Sequence, residues 1–188
     1  MLTDQSDFGM IPVFNADAGV FICYPLRNST LRSMSNPLGS IYGRFRNQGS
    51  KFHAGWDLHA SVGEPVLTID SGTVEAAWSM PNGDHSYGKQ VVVKLDHLAA
   101  DNRPLFYHVA HLSSWIVQAG QRVDAGQQIG NTGVTGNADI KAPHLHFEIR
   151  RSLDGKAGRI DPGLVFPDLL RSYLHARRSS GSVLRRAN

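Results

Sequence analysis

From Pro143 to Arg150 the chain reads Pro-His-Leu-His-Phe-Glu-Ile-Arg, polar and apolar positions in alternation. Side chains alternate faces along a strand, so His144 and His146 are expected on one face and Leu145, Phe147 and Ile149 on the other. Similar short-period patterning recurs upstream. Gly63-Glu64-Pro65 opens a strand from Val66 to Ile69, Asp70-Ser71-Gly72 turns it, and Thr73 to Trp78 returns, which predicts a hairpin. A loop from Pro81 ends near Gly88; strands over Gln90 to Leu95 and Leu105 to His111 follow, separated by a polar loop at Asp101 to Pro104. A single helical turn is expected over Ser113 to Gln118. Val117, Gly120, Val123, Gly126, Ile129, Gly130, Gly133 and Gly136 then recur at near-triplet spacing, which predicts short strands broken by tight turns.

The ends of the chain differ in pattern. Residues 1–35 mix polar and apolar positions around one expected strand, Val20 to Tyr24, with a Ser/Asn/Arg-rich link from Arg27 to Asn36, and read as an arm that packs on the domain. Turn chemistry at Pro37-Leu38-Gly39-Ser40 and Tyr42-Gly43-Arg44 begins the domain, and Phe52 to Leu58 leads into a strand. Asp161-Pro162-Gly163 closes it. From Asp168 to Arg178 apolar residues fall at helical spacing behind a proline, acidic at the start and basic at the end, as the helix dipole prefers. The last ten residues read as a frayed basic tail. The expected organisation is an arm (1–35), a mainly β domain built on an antiparallel sheet or sandwich (36–166), and a short C-terminal helix with its tail (167–188).

Composition narrows the class. A chain of 188 residues, 41% hydrophobic and 19% charged, buries a real core without staples. The net charge of +3 is compatible with an anionic polymer such as nucleic acid or cell-wall glycan without choosing between them, and the basic tail lacks the interleaved aromatics of nucleic-acid binding. Cys23, the one cysteine, excludes an internal disulfide and a multi-cysteine metal knot, and is expected as a buried thiol. No stretch is expected to span a bilayer. Asp4 and Asp7 sit where a secretory signal would be basic, so the expected delivery routes are a phage, a secretion machine with an accompanying immunity protein, or a signal removed from the chain.

Candidate chemistry lies in the histidines. His53 and Asp57 stand four apart with Ala54, Gly55 and Trp56 between them, where a small residue and a glycine let the backbone bend so that imidazole and carboxylate converge. With His146 the set is two nitrogen donors and one oxygen donor, the three-ligand pattern of catalytic rather than structural zinc. His108 and His111 face opposite ways in a strand, so at most one is expected to look into a cleft shared with His144. Local spacing does not decide which. His59, two past Asp57, falls on the same face as that residue.

Taken in order, these segments resemble the lysostaphin and LytM-type zinc endopeptidases of bacterial cell walls over roughly residues 37 to 166. The resemblance rests on Phe52-His53-Ala54-Gly55-Trp56-Asp57-Leu58, Gly63-Glu64-Pro65-Val66, Asp70-Ser71-Gly72-Thr73-Val74, Ala110-His111-Leu112-Ser113, the Gly120-Gln121-Arg122-Val123 and Gly126-Gln127-Gln128-Ile129-Gly130 repeats, and Gly133-Val134-Thr135-Gly136 through His144-Leu145-His146-Phe147-Glu148. It implies a LytM-like (duplicated hybrid motif) β fold, Zn2+ bound by His53, Asp57 and His146, and His111 and His144 standing over the metal water as acid and base. His59, His85, His97, His108 and His175 match no catalytic position. Glu148 is read as an anchor of the strand end in preference to a partner of a metal ligand. The implied substrate is a stem or cross-link peptide of peptidoglycan, lying in a groove between loops around Asn47 to Phe52, Pro81 to Gly88 and Thr135 to Pro143. The rival reading is a catalytically silent module that activates a cell-wall amidase, but silent versions should lack metal ligands. A lipoyl- or biotin-type carrier lacks its flanked lysine here, and a phosphocarrier needs no HxxxD motif.

Overall fold

Valines and aromatics between residues 89 and 115 build the middle of the molecule. The computed structural model describes residues 11–12, 21–80, 86–97, 103–153 and 158–179. Its strands are β1 (Ile11–Pro12), β2 (Phe21–Ile22), β3 (Gly43–Arg46), β4 (Lys51–His53), β5 (Trp56–His59), β6 (Pro65–Leu67), β7 (Gly72–Ser79), β8 (Lys89–Leu95), β9 (Phe106–Trp115), β10 (Arg122–Val123), β11 (Gln128–Thr132), β12 (His144–Arg150) and β13 (Arg159–Ile160). The one α-helix among the described residues is α1 (Pro167–Ser179). The fold is mainly antiparallel β with this short C-terminal helix. No helix among the described residues is long and apolar enough to cross a membrane.

One branched sheet runs in the order β10-β7-β8-β9-β11-β6, and β12 joins it through β9 while also pairing with β5 and β13. Strand β9 is the branch point: residues 106–110 pair with β12, whereas residues 112–115 pair with β11. Apolar alternation works as the pattern requires, with Leu145, Phe147 and Ile149 joining Trp56, Tyr107 and Val109 in the buried core. Phe166, just before α1, and Leu169, in its first turn, close the same core. Leu26 and Leu31 are also buried there. Leu31 bridges Leu58, Arg32 N–H donates to Asp57 O (2.8 Å) and His59 N–H to Thr30 O (2.8 Å), so residues 30–32 line the free edge of β5.

Several local expectations are corrected. Residues 66–69 and 73–78 do not form a hairpin, since β6 pairs with β11 while β7 pairs with β8 and β10. Asp70-Ser71-Gly72 reverses the chain, but the Ile69 and Ser71 carbonyls accept from Cys23 N–H (2.6 Å) and Asp96 N–H (2.9 Å) instead of from each other's strand. The helical turn at Ser113 to Gln118 is absent: Ser114 and Trp115 extend β9 because Asn131 and Gly130 of β11 lie opposite. Gly43-Arg44 belongs to β3, which pairs with β4. The strand expected over Val20 to Tyr24 is confined to Phe21–Ile22 among the described residues. Cys23 is a buried free thiol, and burial together with nearby Asp70 pushes its pKa up. Residues 81–85 of the Pro81 loop, residues 101–102 of the Asp101 to Pro104 loop and the tail from 180 lie outside the described residues.

Gly55 decides how closely the His53–Asp57 segment approaches β12. A Cβ there would stand 2.0 Å from Phe147 O and 2.8 Å from Glu148 Cγ. Gly55→Ala is expected to push β5 away from β12 and cost about 1–3 kcal/mol of stability, or more where the backbone cannot shift. Thermal unfolding with and without zinc measures it, and an unchanged melting temperature refutes it.

Candidate metal centre

The register between β5 and β12 assembles the site. His146 stands directly opposite Asp57 on one side and Ala110 of β9 on the other, so the three share one face of the sheet. Ala110 is small and buried. His53, at the end of β4, swings in across the Gly55 approach. The result is a cluster of His53, Asp57 and His146, all buried, each offering one donor atom to a common point. His53 Nε2 lies 3.1 Å from Asp57 Oδ1 and 3.2 Å from His146 Nδ1, and the last two are 2.9 Å apart. Donors ~2.0–2.2 Å from one tetrahedral ion stand about 3.3 Å apart, so these separations fit a single zinc-sized cation.

Second hydrogen bonds fix which nitrogens face that point. His53 Nδ1 donates to Ile41 O (2.9 Å), which leaves the Nε2 lone pair directed inward. His146 Nε2 donates to Glu148 Oε1 (3.0 Å), which directs Nδ1 inward. Two lone pairs and a carboxylate oxygen then converge at hydrogen-bond distance, an arrangement that requires positive charge among them. Burial would raise the Asp57 carboxyl, yet its histidine neighbours hold it well below the usual carboxylate range. Burial would lower His146, but its bonds to Asp57 and Glu148 outweigh this and push it up to about 9. Absent a divalent ion, the charge that the donors demand is thus supplied by a proton on His146.

His111 and His144 flank the cluster. The ring of His144 packs at 5.0 Å from that of His111, and the His111 ring lies 5.9 Å from that of His146. His144 Nδ1 donates to Ala142 O (3.1 Å) and His111 Nδ1 to Thr135 O (2.9 Å), so both offer an Nε2 lone pair. Burial pushes His111 down to about 3, helped by His146 and His144, and burial also lowers His144 against the pull of Asp57. Both rings are neutral at pH 7.

Strand alternation misplaces His111. It would put His111 on the core side with Val109, and His108 on the outer side with Ala110. In fact His111 has φ +62°, a left-handed backbone unusual for a residue with a side chain, at the point where β9 changes partner from β12 to β11. The kink turns His111 outward with Ala110 and returns Leu112 to the core. His108 and His111 therefore both leave the core face, against the expectation that they oppose one another. His108 is sealed beneath Tyr87 (ring centroids 4.9 Å) and bonds Gln90 (2.8 Å), so only His111 reaches the cleft. Elsewhere, His59 and His175 are exposed and His97 pairs with Asp70 at 2.6 Å, all outside the cleft, while His85 lies outside the described residues.

Three contributors carry no signal in sequence spacing. Arg46 on β3 donates to Asp57 Oδ2 (2.5 Å) and lies 3.2 Å from His53 Nε2. Arg32 enters from the segment along the edge of β5, and Tyr87 donates to Glu148 Oε1 (2.6 Å). All three depend on loops or edge strands whose partners are far away in the chain. Glu148, read from sequence as a strand-end anchor in preference to a partner of a ligand, does both: it receives His146, Tyr87, Arg150 (2.8 Å) and Arg159 (3.3 Å). Burial would raise its carboxyl, and these donors hold it well below the usual range. Glu148→Gln presents an NH2 to a ring of donors and is expected to weaken zinc binding about 10- to 100-fold. Competition with a chelating dye measures the loss; unchanged affinity would remove Glu148 from the metal's support.

The donors open onto a cleft of 430 Å³ whose walls include Lys51 and Phe52, Ser86 and Tyr87, and Asn137 and Asp139, one pair from each of three segments expected to border a groove. The chain is 37% identical over 129 residues to a lipoprotein NlpD/LppB homolog of Pseudomonas aeruginosa, covering 69% of this chain and 38% of that protein. It is 32% identical over 131 residues to the peptidoglycan DD-endopeptidase ShyC of Vibrio cholerae, covering 68% and 26%. The chain thus spans well under half the length of these relatives. Among solved structures, the catalytic domain of the antimicrobial peptidase lysostaphin from Staphylococcus simulans superposes with a TM-score of 0.55 at 32% identity, over 72% of this chain and 90% of that one. Residues 51–162 match Peptidase family M23, and the chain belongs to that family.

Proposed function

We propose that the protein is a zinc-dependent endopeptidase that hydrolyses peptide bonds in the stems or cross-links of bacterial peptidoglycan. The observation that carries this reading is the convergence of three donor atoms, 2.9–3.2 Å apart, beside two histidines whose pKa values burial lowers. His53, Asp57 and His146 would hold Zn2+, which supplies a Lewis acid for the scissile carbonyl and makes a water more acidic. Arg46 pins the outer oxygen of Asp57, so that Oδ1 alone is aimed at the ion. His111 and His144, each with Nε2 free, accept the proton released by the attacking water and return it to the leaving amine. The protonated ring left after the first transfer faces developing negative charge, which it stabilises.

The intact donor set argues against the silent amidase activator. The site of action is the bacterial wall, and a delivery machine or an immunity protein remains the class of partner that a toxin would require. Digestion of purified peptidoglycan with mass analysis of the fragments tests the reading. New amino and carboxyl ends within peptide, produced by the zinc-loaded protein and stopped by a chelator, are expected. Intact wall, together with stimulation of a purified amidase that survives His144→Ala, would establish the activator instead.

A further inference from the structure

Arg32 stands in the cleft with only Nη1 engaged. Its main chain is tied down by Asp57 O, which accepts its N–H (2.8 Å), and by Ser40 Oγ (2.6 Å) and Tyr173 Oη (3.5 Å), which donate to its carbonyl. The side chain is only 18% exposed. Nη1 lies 3.4 Å from His144 Nδ1 and 4.0 Å from Asp57 Oδ2. Neither is a strong partner: the His144 contact is long and competes with the Nδ1–Ala142 O hydrogen bond (3.1 Å), and Asp57 Oδ2 is already held by Arg46. Among the described residues, no hydrogen bond engages its Nε or Nη2. A guanidinium this little exposed, with its nearest carboxylate at 4.0 Å, is weakly compensated, and its planar fork is shaped to receive a carboxylate bidentately.

Charge in the rest of the cleft points the same way. Arg46 and Arg159 are engaged by Asp57 and Glu148, while Lys51 is exposed on the same wall. The acid on the rim, Asp139, is exposed and accepts from Lys141 N–H (2.8 Å). The unneutralised charge nearest the histidines is therefore positive. Arg32 lies outside residues 51–162, the stretch matched to the family.

We infer that Arg32 is a specificity-determining residue that binds a carboxylate of the substrate peptide next to the scissile bond. The preferred substrate is thus an acidic stem peptide and not an uncharged bridge. Consecutive residues of an extended peptide advance ~3.3–3.6 Å, so a carboxylate on Arg32, beside His144, belongs to the residue adjoining the cleaved bond. The position of that bond rests on the hydrolase reading; recognition of the carboxylate does not.

The test uses the zinc-loaded protein, its Arg32→Gln and Arg32→Lys variants, and a synthetic stem peptide with free carboxylates beside the same peptide as carboxamides. Binding is read by calorimetry and cleavage by KM. The wild-type protein is expected to prefer the acid about 10- to 100-fold, as for a hydrogen-bonded charge. Arg32→Gln should bring the two peptides within about threefold, and Arg32→Lys should recover part of the preference. A preference that survives in Arg32→Gln would mean that zinc or Arg46 reads the carboxylate and overturns the inference, as would equal binding of both peptides by the wild type. Arg32-dependent binding without cleavage of either peptide would sink the hydrolase reading and leave this inference standing.

Discussion

Substituting Asp57 by asparagine is expected to weaken zinc binding about a thousandfold and to abolish peptidoglycan hydrolysis with it. Asp57 is 1% exposed and faces a cation on each side, the ion position through Oδ1 and Arg46 through Oδ2. Removing one member of a buried charge pair costs about 3–5 kcal/mol because the partner is left uncompensated, and at ~1.4 kcal/mol per decade this is two to three decades or more in affinity. In the variant Arg46 remains within 3.2 Å of His53 Nε2, so its charge repels the incoming ion as well. Metal content after dialysis and wall digestion measure the two losses. A variant that keeps stoichiometric zinc and still digests wall would remove Asp57 from the centre.

The same site makes zinc uptake depend on pH. With His146 pushed up to about 9, zinc must displace a proton at pH 7. Affinity should therefore rise about tenfold per pH unit toward 9 and level off above it. Calorimetric titration in two buffers of different ionisation enthalpy counts the proton released.

His144→Ala and His111→Ala are each expected to lower kcat by ~10²- to 10⁴-fold while the zinc is retained. Neither side chain offers a donor atom to the ion cluster, yet each presents Nε2 to the cleft. Because burial depresses both pKa values, the neutral, proton-accepting form persists as pH falls through 6.5. With zinc in excess, the acid limb of kcat/KM should lie below the ordinary histidine range, and for His111 toward about 3. Loss of zinc in either variant would instead make the ring a metal ligand. A wild-type rate in both would leave the chemistry without a proton acceptor from the protein.

The sequence by itself determined the strands that alternate and the chemistry available on them. His144 and His146 had to share a face because a strand has period two, and Leu145, Phe147 and Ile149 had to be buried behind them. The His53-to-Asp57 spacing with its glycine was equally legible, although the reason for Gly55 was not: it permits close approach to Phe147 O, a contact across more than ninety residues. Tertiary structure alone decided the pairings. Asp70-Ser71-Gly72 specifies a reversal, but not which strand lies alongside afterwards, so the expected hairpin opened into strands with separate partners. The left-handed turn at His111 follows from β9 exchanging β12 for β11, and alternation cannot anticipate an exchange between distant strands. Arg32 and Arg46 reach the centre from the segment beside β5 and from β3 for the same reason: local spacing fixes which way a side chain points, whereas register between remote segments fixes what it meets.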